Sequence, residues 1–275
     1  MHVATAQLPA IHDSDDKIFT AGHAVVVLDG ASAFLPVPVP ASVYADHLGS
    51  YLRDALNAAP DADLRRLLAD GIEHTARQLD LTPGRSPSST VAIARELDKR
   101  VEFLLLGDSV IVLPEEVLTD ARMDDLDLEP RRRYRERLAA GHGYDSEHTA
   151  LLRELQEQQA ARRNQPGGYW IAEADPVAAE HALVASHPVS TAPWAVLLTD
   201  GAYTTMDHLG LDDWPHLVHS DTGKLADMLH HCEAWEAHGD PDAGELPRAK
   251  RHDDKSLAAV RFTALPACIA GSSDQ

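Results

Sequence analysis

The chain has only two cysteines in 275 residues, Cys232 and Cys268. Two distant cysteines build no disulfide framework, so the expected setting is a reducing cytoplasm. Positive charge is scarce too: 24 Lys and Arg stand against 44 Asp and Glu, a formal net charge of −20. A field of that sign repels nucleic acid and anionic membrane, and neither is an expected partner. Long apolar runs are missing. The longest are of strand length, far short of the roughly 20 residues that span a bilayer. No basic stretch leads into an apolar run at the N-terminus, so no secretory leader is expected. The 16 histidines include no HExxH, and there is no paired CxxC, which argues against the common zinc spacings. What is present is an ordinary globular composition, 44% hydrophobic and 25% charged, in a chain long enough for a large core.

The apolar pattern sets out the elements. Val25 to Leu28 form a β-branched run that stops at Asp29-Gly30, which predicts a buried strand ending in a turn. Helical stripes run through Tyr44, Leu48, Tyr51, Leu52 and Leu56, then through Leu64, Leu67, Leu68, Ile72 and Ala76. Thr90–Ala94 and Val101–Leu106 read as strands joined by the polar stretch Arg95–Arg100. Gly107-Asp108-Ser109 then turns into a third strand, Val110–Leu113. Residues 114–165 are dense in charge, with modest helical spacing at Leu138, Leu151, Leu152 and Leu155. Helices outside the core are expected there, with a mobile loop near Gly141–Ser146. Ala195–Leu198 is an expected strand ending in Asp200-Gly201, residues 211–238 are mostly helical, and Leu257–Phe262 is a last strand behind Asp253-Asp254. Strands at both ends with helices between favour one α+β domain over residues 1–275, with a charged helical insertion at about 114–165.

Four aspartates share a context. Asp29, Asp108 and Asp200 each follow a strand and adjoin a glycine, and Asp253 precedes a strand. Carboxylates at strand ends can converge on one rim of a rigid sheet. Hard cations such as Mg²⁺ and Mn²⁺ take carboxylates, main-chain carbonyls and waters as ligands. Glycine after Asp29 would let a main-chain carbonyl approach an ion without steric cost. Taken singly, each Asp-Gly pair is an ordinary turn; their order and flanking residues carry the weight.

In order along the chain, Val25–Gly30 (VVVLDG), Ser88–Ala92 (SSTVA), Leu106–Ser109 (LGDS), Val196–Gly201 (VLLTDG) and Asp253–Val260 (DDKSLAAV) resemble the successive motifs of the type 2C metal-dependent protein phosphatases. Ser14-Asp15-Asp16-Lys17 resembles that family's Asn-Glu-Asp-Arg element. The resemblance spans about residues 12 to 262. It implies a four-layer α+β sandwich of two antiparallel β-sheets flanked by helices, with two or three Mg²⁺ or Mn²⁺ ions at one end. Asp29 would bridge two ions and the Gly30 carbonyl would bind one of them. Asp200 and Asp253 would hold the other, and Asp15 or Asp16 would contribute directly or through water. Asp108 would match a third, weaker site, and Asp254 stands where the family has Asn or Asp. The implied reaction is hydrolysis of a phosphomonoester by a water bridging the ions. Bound cations would also reverse the local sign of a field that otherwise repels phosphate. Phosphoserine or phosphothreonine in a protein is the implied substrate. A small phosphorylated metabolite is the alternative substrate, and a non-catalytic binding module of the same fold the alternative function. Four like charges at one rim are of no use to a pure scaffold, which weighs against that module.

The chain departs from the family pattern in two places. Ala31 follows Asp29-Gly30, where a histidine could act as general acid. Residues 8–13 hold no arginine whose fork could bind phosphate. His12 is the nearest substitute, as proton donor or phosphate ligand, and Lys17 is a second. The basic run Arg131–Arg133, with Arg135 and Arg137, is expected as a solvated helix face paired with acids; its alternative role is to capture an acidic or phosphorylated partner.

Overall fold

The computed structural model describes residues 1–31 and 36–263; Ser32–Phe34, which follow Ala31, and Cys268 lie outside the described residues. Two five-stranded sheets form the centre, and every strand pairing is antiparallel. The first has the order β1 (His2–Leu8), β10 (Lys255–Arg261), β9 (Trp194–Leu198), β6 (Val110–Val112), β7 (Val117–Thr119). The second has the order β2 (Lys17–Thr20), β3 (Ala24–Leu28), β4 (Val91–Leu97), β5 (Arg100–Leu106), β8 (Leu183–Pro188).

The unbroken apolar run of β3 has a direct cause: both of its faces are covered. Val25 and Val27 meet Phe103, Leu197 and Val260 between the two sheets. Val26 and Leu28 face outward onto helices α1 (Ala41–Ala58) and α2 (Leu64–Gln78), against Leu48, Leu52, Leu68 and Ile72. Full burial of each such side chain contributes roughly 1.5–3 kcal/mol, so a strand of this kind has no polar face to spare. The outer face of the first sheet carries Val196, Leu198, Leu257 and Ala259. These pack on α6 (Asp200–His208), α7 (Trp214–Leu217) and α8 (Thr222–His238) through Met206, Leu217, Leu225 and Leu229. The result is helix, sheet, sheet, helix, the four layers expected from the sequence. No helix among the described residues is long and apolar enough to cross a membrane.

Several boundaries differ from expectation. Arg95 and Glu96 extend β4, leaving only Asp98-Lys99 as the turn before β5. Arg95 tolerates burial because its guanidinium donates to the carbonyls of Pro60 and Ala62 and pairs with Glu102. Asp200-Gly201 opens α6 rather than closing a turn, with Thr199 as its N-cap residue. The turn at Asp108 carries the chain from one sheet to the other, since β5 and β6 lie in different sheets.

Residues 114–165 contain the unexpected short strand β7, then α3 (Arg122–Asp125), α4 (Glu129–Ala139) and α5 (Ser146–Ala160). Helices α4 and α5 close around Tyr134, Leu138, Leu151, Leu152 and Leu155, a small core that also takes in Ala243. Much of the basic run is paired with acids, Arg131 with Asp124, Arg132 with Asp127 at 2.6 Å and Arg137 with Asp145 at 2.6 Å. It is not simply a solvated face, since Arg131 and Arg135 line a cleft.

Candidate active site

Five segments bring their acids to one end of the sandwich. Strand β3 delivers Asp29, whose N–H donates to Thr90 Oγ1 at 3.2 Å and whose carbonyl accepts from Thr90 N–H at 2.9 Å. Thr90 Oγ1 in turn lies 2.6 Å from Ser109 Oγ, which fixes the turn bearing Asp108 beside the end of β3. Strand β9 runs into Asp200, and β10 begins just after Asp253-Asp254. The loop before β2 supplies Asp15 and Asp16.

Hydrogen bonds lock these segments together. Asp254 Oδ2 accepts from Ser14 Oγ at 2.9 Å and from the Asp15 N–H at 2.5 Å. Thr199 Oγ1 donates to Asp16 Oδ2 at 2.9 Å while accepting from the Ser256 N–H at 3.0 Å. Asp15 Oδ1 accepts from the Ser42 N–H at the start of α1, 3.1 Å away.

The glycines of the two Asp-Gly pairs are explained by packing. A Cβ on Gly30 would sit 2.6 Å from the Asp15 carbonyl oxygen. A Cβ on Gly201 would sit 2.3 Å from the Asp254 carbonyl oxygen and 3.0 Å from Asp253 Cβ. In each case glycine is required because a second acid-bearing segment lies directly against it. Behind them, the buried pair Lys255–Glu236 (2.8 Å) ties α8 to β10, and Lys255 Nζ also donates to the Asp253 carbonyl at 2.9 Å.

A cleft of roughly 520 Å³ opens over this end, with Asp29, Asp108, Asp200 and Asp253 on its surface. Arg131 and Leu155 from α4 and α5 form part of its wall, so the segment 114–165 borders the acids directly. No family model matches the sequence, and no curated protein matches it. Solved structures match over nearly the whole length. The photosystem II phosphatase PBCP aligns with a TM-score of 0.59 at 14% identity, covering 96% of this chain and 99% of that one. The PPM Ser-Thr phosphatase MsPP from Mycobacterium smegmatis, solved with cacodylate, gives 0.53 at 15% identity over 96% and 99%. The catalytic domain of the serine threonine protein phosphatase PstP, solved with two manganese ions, gives 0.52 at 12% identity over 94% and 96%. The fold is that of the PPM phosphatases.

On this phosphatase fold burial, and after it the neighbouring acids, raises the pKa values of Asp16, Asp29, Asp108 and Asp200. Burial, followed by the charge of Asp254, pushes Asp16 up to about 8. Burial and then Asp200 push Asp108 up to about 7, with Arg131 opposing. Asp29 is raised well above its ordinary value by burial, then by Asp16 and Asp200. Asp200 rises as well, through its enclosure and then Asp253. Burial works against the charge on Lys250, yet Asp253, with Asp29 and Asp254 behind it, holds that ammonium above the ordinary lysine range.

A pH dependence follows. A carboxyl that binds its proton more tightly when folded stabilises the fold below its unfolded pKa and loses that contribution as pH rises through its folded pKa. For Asp16 the window runs from the ordinary 3.8 to about 8. In EDTA, the Tm of Asp16→Asn minus that of the wild type should therefore increase between pH 4 and pH 8. A difference that stays constant over that range would show that Asp16 does not titrate as described.

The residues present suit hard cations. The converging donors are carboxylate oxygens, and the buried Asp16 Oδ1 has no partner. Among the described residues, no three Asp, Glu, His or Cys stand ready to enclose one ion. Asp253 is engaged by Lys250 at 2.6 Å. A divalent ion at Asp253 would have to replace that contact.

Neither sequence-derived substitute for the missing arginine and histidine lines the cleft. His12 is exposed and does not line the cleft; it stands in the turn closed by the Asp13 N–H to Ala10 carbonyl bond. Lys17 is buried and donates to the Ile11 and Ser14 carbonyls, so its charge shapes the loop before β2. Ala31 lines the cleft, and no histidine does among the described residues. Glu236, Lys250 and Lys255 belong to the same end of the molecule. Nothing in the spacing marks them, because their partners are set by loop conformation.

Proposed function

We propose that this chain is a metal-dependent phosphomonoester hydrolase acting on phosphoserine or phosphothreonine in proteins, in a reducing cytoplasm. The observation that carries this reading is the convergence of Asp16, Asp29, Asp108, Asp200 and Asp253, distant in sequence, at one end of a PPM phosphatase fold. Asp29 with the Gly30 carbonyl, Asp200 and Asp253 would hold two Mg²⁺ or Mn²⁺ ions, with Asp16 beside them and Asp108 serving a third. Such ions supply a water that loses its proton near neutral pH and positive charge for the phosphoryl oxygens.

The protein's own groups prepare that site. Thr199 orients the carboxylate of Asp16, and Asp254 clamps the 14–16 segment so that it lies against Gly30. Lys255 holds the carbonyl of Asp253 and thereby its backbone. With Ala31 at the cleft and no imidazole there, the leaving oxygen lacks a nearby histidine donor. An aryl phosphate is therefore the suitable first substrate, since nitrophenolate departs without a proton.

The expected result is hydrolysis of p-nitrophenyl phosphate in Mn²⁺ that EDTA abolishes and added Mn²⁺ restores, followed by release of phosphate from phosphoserine and phosphothreonine peptides. Turnover that persists unchanged in EDTA would remove the metal reading. Binding of phosphopeptide without turnover in Mn²⁺ would favour a non-catalytic module, and turnover of small phosphomonoesters but not of the phosphopeptides would favour the metabolite alternative.

A further inference from the structure

The loop between α8 and β10 is fastened from two sides. Arg248 holds it to the end of α8, donating to Asp240 Oδ2 at 2.8 Å and to the Asp240 carbonyl at 2.6 Å. Helices α4 and α5, with the turn between them, hold it from across the cleft. Tyr144 Oη donates to the Lys250 carbonyl at 2.9 Å, His148 Nε2 lies 2.9 Å from the Ala249 carbonyl oxygen, and the Arg251 guanidinium lies 5.0 Å over the Tyr144 ring. These contacts fix the backbone at Lys250 and leave its side chain on the cleft, with Nζ 2.6 Å from Asp253 Oδ1.

Arg135 also lines the cleft, exposed and without an ion pair among the described residues. Among those residues only Lys250 contacts one of the candidate metal-binding carboxylates. Several other neighbouring cations are committed elsewhere. Lys17 is bound to the Ile11 and Ser14 carbonyls, Arg131 to Asp124 and Arg248 to Asp240. The ammonium of Lys250 donates to Asp253, the carboxylate that a divalent ion would claim in the proposed site. An ammonium has three donors and no directional fork, so it can change acceptor without moving its backbone.

We propose that Lys250 is the phosphate-binding cation of this site, held on Asp253 in the metal-free protein and released to a phosphoryl oxygen when a divalent ion takes that carboxylate. This rests on the metal-dependent reading above and supplies the positive group that residues 8–13 lack. It also explains what the segment 114–165 contributes, since Tyr144 and His148 set where Lys250 stands.

The test uses the full chain with Lys250→Gln and Lys250→Arg, and two readouts. Calorimetric titration with Mn²⁺ alone should show Lys250→Gln binding about 2- to 5-fold tighter than wild type, because a partly exposed ion pair no longer competes for Asp253. At saturating Mn²⁺, the inhibition constant of inorganic phosphate should rise about 10- to 100-fold in Lys250→Gln, the worth of a lost charged hydrogen bond. Lys250→Arg should keep most of the phosphate affinity. An unchanged phosphate constant in Lys250→Gln, or weaker Mn²⁺ binding, overturns the inference while leaving the hydrolase reading intact. Failure of the wild type to bind Mn²⁺ overturns both.

Discussion

Asp29→Asn should fold normally and hydrolyse p-nitrophenyl phosphate about 10³-fold more slowly than wild type in saturating Mn²⁺. The magnitude follows from the several kcal/mol that metal charge supplies in the transition state, at about 1.4 kcal/mol per factor of ten. Asparagine keeps the shape of the side chain while the charge is lost. The same substitution should raise Tm in EDTA, because Asp29 stands among Asp16, Asp200 and Asp253, and removing one of several crowded carboxylates relieves repulsion. Steady-state kinetics and thermal melts on one preparation read both effects. Turnover at the wild-type rate would rule out a role for Asp29 at the ions.

Gly201→Ala should do damage of another kind. The new Cβ would meet the Asp254 carbonyl oxygen at 2.3 Å, a backbone atom with no rotamer to retreat into. Overpacking of this type costs about 1–3 kcal/mol, and a chain of this size loses about 2–4 °C of Tm per kcal/mol. The movement that relieves the clash must part the start of α6 from Asp253-Asp254. The Mn²⁺ concentration giving half-maximal activity should therefore rise along with the loss of stability. Gly22→Ala is the control, since its nearest neighbour, Asn57 Oδ1, would lie at an ordinary 3.7 Å. Equal melting temperatures and Mn²⁺ responses in the two variants would mean that Gly201 is not needed for close approach.

The elements that could be read from sequence are those with both faces covered. Strands β3, β4, β5, β6, β9 and β10 lie inside the sheets, and their apolar runs stand out. The strands that escaped notice, β1, β2, β7 and β8, are the edges of the two sheets. An edge strand has one paired neighbour and meets more water, so its sequence carries a diluted pattern. In β8, Leu183 and Val184 are exposed apolar residues, which breaks the alternation of a half-buried strand. The helix opening at Asp200 was hidden because Asp-Gly after a strand is also how a turn looks. The aspartates themselves were legible through the order of their motifs. The cations that organise them were not: Glu236 and Lys255 are partners 19 residues apart across a loop, and Lys250 reaches Asp253 only because Tyr144 and Arg248 hold its loop in place.

The pairing of β1 with β10 has a consequence for how the molecule is made. Residues His2–Leu8 lie along Lys255–Arg261, and β10 is also what joins β1 to β9. During synthesis at about 5–20 residues per second, the first strand waits roughly 12–50 s for its partner to be translated. Until then one sheet is missing its middle, and Asp253 and Asp254 have not been delivered. A nascent chain thus carries an unpaired β1 and an incomplete cluster of acids until β10 is made. Assembly of this end of the sandwich is timed by the arrival of β10.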